Sequence, residues 1–179
     1  MKKAIFIILS ISLLLACTTK KEEQVKISEL AKSYKKLKRM TKKPVLVNPG
    51  IAMLCIGPTK AMVEDAKKEK GPHAMAEVHM YMNETAVKAF KTKPFKFPEG
   101  SVIVKDKLNY DKGVGGMVKR HKGYDPKNGD WEYFYFDKPD KIESGKIQSC
   151  IKCHSAKAKN DYVFGNWAQS RETLRIKTK

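Results

Sequence analysis

The sequence predicts an α+β fold, an antiparallel β-sheet core with flanking helices, and three observations predict it. Residues 101–108, 114–121 and 131–136 are runs rich in β-branched and aromatic side chains. The last two are joined by residues 123–130, whose Asp125-Pro126 and Asn128-Gly129 pairs are strong turn formers, so antiparallel pairing is expected. Ahead of them, apolar residues recur at helical steps of three and four. A chain of 179 residues that is 41% hydrophobic, with seven Phe, seven Tyr and two Trp, can bury one core, so wholesale disorder is excluded and one domain is expected.

The N-terminus sets the compartment. Met1-Lys2-Lys3 is a positive n-region, residues 4–16 are a 13-residue apolar run, and Leu14-Leu15-Ala16-Cys17 ends it with small Ala before Cys. The run is short of the roughly 20 residues that span a bilayer as a helix. It reads as a bacterial lipoprotein signal, residues 1–16, with Cys17 lipidated and residues 17–24 a polar tether; an ordinary secretory signal is the alternative. Either reading places the protein outside the cytoplasm, and the first anchors it on the periplasmic side of a bacterial membrane. Residues 25–179 form the expected domain.

Within that domain, residues 25–40 read as an amphipathic helix, with Ile27, Leu30, Ala31, Tyr34 and Leu37 on one face, ended by Lys43-Pro44. Residues 58–70 read as a second helix, with Pro at its first turn and Gly71 after its last. Ala74, Ala76, Val78, Met80 and Met82 share one parity, a strand signal, and Asn83 is placed to cap a short helix reaching Phe90. His73, His79 and His121 read as surface or hydrogen-bonded residues rather than ligands.

The formal charge is +18, falling only to +16 without Lys2 and Lys3. Of 37 cations only four are Arg, whereas reading base edges and phosphates favours the planar guanidinium, so nucleic-acid recognition is disfavoured. An acidic electron-transfer partner, or anionic lipid, suits the lysine-rich surface.

Cys150-Ile151-Lys152-Cys153-His154 is a C-x-x-C-H sequence, the attachment signature of c-type haem. Two sulfurs three residues apart on a helical turn reach the two vinyl groups of one porphyrin edge, and the adjacent imidazole reaches the iron. His154 is therefore the candidate iron ligand, with Cys150 and Cys153 holding the macrocycle. A zinc site usually needs a second Cys/His pair, and none follows His154; a redox dithiol usually follows a strand in a βαβ unit, a context absent here. With Cys17 lipidated and Cys150 and Cys153 haem-bound, Cys55 is left as a buried, inert thiol, and no internal disulfide is expected.

Several further motifs stand in order along the C-terminal half. They are Phe97-Pro-Glu-Gly100-Ser-Val-Ile-Val-Lys105-Asp106, Asn128-Gly-Asp-Trp131-Glu-Tyr133, the C-x-x-C-H itself, and Asp161-Tyr-Val-Phe164. Together they resemble the cytochrome P-460 family and its sibling cytochrome c-prime-beta, well over residues 73–167 and loosely over 44–72. The resemblance implies a mostly antiparallel β fold with flanking helices, often dimeric, carrying one five-coordinate c-haem with an open distal face. It also implies a role for Lys105, because in true P-460 members the matching lysine is bonded to a meso carbon of the porphyrin. Strand parity puts Ile103 with Lys105 on one face and Val102 with Val104 on the other, so Lys105 enters a pocket only if the first face is buried. Phe97 matches an aromatic that lies near the family's distal pocket.

One departure bears on activity. The position of the glutamate that relays protons in hydroxylamine-oxidising members falls on Gly115, and no Asp or Glu lies between Asp111 and Asp125. Proton transfer would then need water, His121 or a carboxylate folded in from elsewhere. Met117 shares the parity of Gly115 and is the nearest side chain able to cap or ligate the iron, though with eight Met in the chain ordinary packing in a β core is the favoured reading. The resemblance thus implies a haem protein that binds or oxidises hydroxylamine or nitric oxide; the alternative is a non-catalytic c-type cytochrome for electron transfer or nitric oxide trapping.

Overall fold

The computed structural model describes residues 25–47, 76–109 and 113–165, with helical positions 61, 64, 65 and 68 between them. The expected signal, tether, Cys17 and Cys55 lie outside the described residues, as does most of the helix expected over 58–70. Among the described residues, no helix is long and apolar enough to cross a membrane.

Seven strands form one antiparallel sheet: β1 (Lys38–Arg39), β2 (Val45–Leu46), β3 (Glu77–Met82), β4 (Val102–Lys107), β5 (Val114–Lys119), β6 (Trp131–Lys138) and β7 (Lys141–Gly145). The order is β1-β3-β4-β5-β6-β7, and β2 also pairs with β3. Besides the helical positions at 61–68, the α-helices with defined bounds are α1 (Ile27–Ser33), α2 (Glu84–Phe90) and α3 (Gln148–Ser155). This is an α+β architecture with the helices flanking the sheet.

Both faces of the sheet are buried, by different elements. Tyr81, Val102, Val104, Val118, Phe134 and Phe136 form one face, packed with Ile27, Leu30, Ala31 and Tyr34 at the N-terminal end. Met80, Met82, Ile103, Met117, Trp131 and Tyr133 form the other, packed with α2 and, at one side, with Ile147, Cys150 and Ile151 around α3. The alternation in β3 and β4 sorts side chains between these two cores, as period-two geometry requires. Lys105 thereby belongs to the face that meets the C-x-x-C-H helix. Gly116 serves the opposite face, where a Cβ would stand 2.3 Å from Phe134 Cζ and 2.5 Å from the Ile103 carbonyl, so only glycine lets β4, β5 and Phe134 close up.

Asn83 caps α2 by accepting from the Ala86 N–H at 3.0 Å, and its side-chain amide also donates to the Gly100 carbonyl, tying the helix start to β4. The helix expected over 25–40 is shorter than its periodicity implied. It runs only to Ser33, continues as a 3₁₀ turn over Tyr34–Lys36, and gives way to β1. There the Met40 N–H donates to the Met80 carbonyl, so sheet pairing outcompetes continued helix. The strand beginning at Val114 ends at Lys119, and His121 lies beyond it, exposed. His79 is half-buried, with Nδ1 3.0 Å from Thr41 Oγ1.

Candidate haem-binding site

The site forms where α3 crosses the Lys105-bearing face of the sheet. Cys150 and Cys153, both free thiols, sit one turn apart on α3, the first half-buried and the second exposed. His154 follows directly. A cavity of about 170 Å³ is lined by Ile103, Lys105, Met117, Tyr133, Cys150 and His154, with Glu143 and Ile147 at its side.

The imidazole of His154 is fixed from three directions. Its Nδ1 lies 2.6 Å from the carbonyl oxygen of Tyr162, and since a carbonyl only accepts, Nδ1 carries the proton and Nε2 keeps its lone pair. The rings of Tyr133 and Phe164 meet it edge-on, each centroid 5.1 Å away. Burial, helped by the nearby positive charge of Lys105, pushes its pKa down to about 4 against the pull of the Tyr162 carbonyl, so the ring is neutral at pH 7. A neutral imidazole with Nδ1–H tied to the backbone is the state in which Nε2 binds a metal.

The Tyr162 carbonyl is aimed by unusual backbone. Asp161 and Tyr162 both adopt left-handed conformations, φ +51° and +63°, which costs non-glycine residues roughly 1–2 kcal/mol each. Asp161 compensates: its carboxylate accepts from Lys119 Nζ at 2.6 Å and from the Phe97 N–H at 2.8 Å, and its carbonyl accepts from Trp131 Nε1 at 2.9 Å. Tyr162 Oη donates to the Lys127 carbonyl, and its ring lies where a Cβ on Gly129 would come within 2.5 Å of it. The turn after β5 and the closing segment are thus built around each other.

Two polar side chains, Tyr133 and Lys105, face the cavity. Tyr133 is 2% exposed and its Oη has no hydrogen-bond partner among the described residues. Lys105 is half-buried, touching the face of Phe164 at 5.9 Å, and burial lowers its pKa although the Cys153 and Cys150 thiols raise it. Burial also pushes the Cys150 thiol up, the reverse of what an activated redox dithiol needs. Among the described residues no three His, Cys, Asp or Glu side chains gather to hold a metal ion.

Met117 lines the cavity, 4% exposed, opposite Ile103 and Tyr133 in register. Gly115 is buried and pairs with Lys105. Phe97 is placed in the core against Trp131 and Phe95, at 5.6 and 5.8 Å between centroids, and is not among the residues lining the cavity. Sequence reasoning did not single out Tyr133, Glu143 or the Tyr162 carbonyl. Tyr133 was findable, because it shares the parity of Trp131 in an alternating strand.

The residues present fit a haem: two thiols one turn apart, an imidazole with a free Nε2, and a largely apolar cavity with an orphaned hydroxyl. The architecture that carries them is α+β, a C-x-x-C-H helix docked on an antiparallel sheet. The chain belongs to the cytochrome P460 family, whose model matches residues 59–165. No curated protein matches it.

Proposed function

We propose that the protein is an exported c-type haem protein, lipid-anchored through Cys17 on the periplasmic side of a bacterial membrane, that binds or oxidises hydroxylamine or nitric oxide. The observation that carries this reading is the His154–Tyr162 bond, which leaves Nε2 available to ligate an iron, while no second histidine lines the cavity among the described residues. Bound haem would supply a redox-active iron with a coordination position left for a small ligand. Cys150 and Cys153 would hold the macrocycle as thioethers, His154 would ligate the iron, and Lys105, whose amine faces the same cavity, would be placed to bond the porphyrin edge, exchanging an N–H and a C–H for the new bond and passing two electrons to an external oxidant. Electrons leave to an acidic partner that meets the lysine-rich surface.

Met117 supports a second reading. Its thioether is in the cavity wall, so a Met-ligated iron would make the protein an electron carrier. The ferric spectrum separates the two: a high-spin iron that takes up nitric oxide and consumes hydroxylamine with a dye acceptor fits the first, and a low-spin iron with a methionine-to-iron charge-transfer band overturns it.

A further inference from the structure

One carboxylate enters the cavity. Lys105, Gly115, Tyr135 and Glu143 are successive partners across β4, β5, β6 and β7. Directly opposed residues of an antiparallel sheet project to one side, so these four form a row on the cavity face. Gly115 contributes no side chain to that row. Glu143 is the one carboxylate among the residues lining the cavity, and its charge reaches Cys150, whose pKa it raises. It is also exposed, on the outermost strand of the sheet.

A carboxylate with one side on a ligand cavity and the other in water can take a proton inside and release it outside. We propose that Glu143 is the proton acceptor of this cavity, deprotonating a small protic ligand as it binds or is oxidised. The assignment rests on the haem reading above. For hydroxylamine the balance is NH₂OH → HNO + 2 H⁺ + 2 e⁻. The electrons pass to two equivalents of an external one-electron acceptor such as ferricyanide, and the protons leave in turn through the carboxylate to water. The titratable groups facing Glu143 are Lys105 across the row, Tyr135 beside it, Cys150 on α3 and Lys141 on its own strand.

The test uses full-length, haem-loaded protein and cyanide, which at pH 7 is supplied as HCN and must lose its proton to bind ferric iron. Glu143→Gln is expected to slow cyanide association on the order of 10²-fold. Carbon monoxide binding to the ferrous form, which releases no proton, stays at the wild-type rate, and Glu143→Asp recovers part of the loss. The ratio of the two rates is independent of haem content, so it holds even if the variant loads less haem. A ratio within threefold of wild type, or wild-type haem protein that takes up no cyanide, overturns the assignment. Wild-type protein that shows the cyanide effect yet consumes no hydroxylamine refutes the substrate reading and leaves Glu143 in place.

Discussion

The Nδ1 of His154 donates to the Tyr162 carbonyl at 2.6 Å, so the orientation of the candidate iron ligand depends on a backbone atom eight residues away. That atom is held by left-handed residues that Asp161 fastens to β5, β6 and the Phe97 segment. The geometry of one imidazole is thus referred to the sheet, and several consequences can be measured.

Removing the fastening should loosen the ligand. Asp161→Ala leaves Lys119, itself mostly buried, without its partner and frees the Phe97 N–H, which should cost about 3 kcal/mol in urea unfolding. Asp161→Asn keeps an acceptor and a side chain tolerant of the left-handed region, so it should cost roughly half as much. Equal stability of Asp161→Ala and wild type would show that the closing segment does not need this anchor.

Acid should leave the site intact well below neutrality. A proton competes for Nε2 only as pH falls through the pKa of His154, lowered to about 4. The sign follows from depression of a basic group: in haem-free protein the neutral form persists above that value, and an iron on Nε2 would hold the ring neutral to lower pH still. The ferric absorption spectrum should therefore be constant from pH 7 to about 5. A transition near pH 6.5, where an ordinary histidine titrates, would contradict the burial of this ring.

Tyr133 separates ring from hydroxyl. Its buried Oη has no partner among the described residues, so Tyr133→Phe in haem-free protein should be neutral or up to about 1 kcal/mol more stable. Tyr133→Ala removes the ring between Met117 and His154 and should cost about 3–5 kcal/mol. A clear loss of stability in Tyr133→Phe would reveal a hydrogen bond that the fold does not display.

The strands of the central sheet were legible because period-two patterns in residues 77–82, 102–107 and 131–136 coincide with two buried faces, and parity alone put Lys105 beside Ile103. The Asn83 cap was legible for a local reason: its side chain bonds an N–H three residues on. β1 and β7 were not, since Lys38-Arg39 and Lys141–Gly145 lie at sheet edges, mostly exposed, and carry no apolar alternation. The helical periodicity over 25–40 overran, because nothing local records that Met40 finds a partner at Met80. In the site, the C-x-x-C-H was plain, whereas the Tyr162 carbonyl has no side-chain signature and Glu143 reaches the cavity only through a register set by three hairpins.

The most direct test of a haem held by Cys150, Cys153 and His154 is the intact mass of denatured, matured protein, read with its absorption spectrum. The account predicts a coloured protein one covalently bound haem heavier than the polypeptide. In a Lys105→Ala background, Cys150→Ala/Cys153→Ala should release that haem to acidic organic solvent, and Lys105→Ala alone should keep the added mass but shift the spectrum. Colourless protein with the mass of the polypeptide and its lipid alone would contradict it.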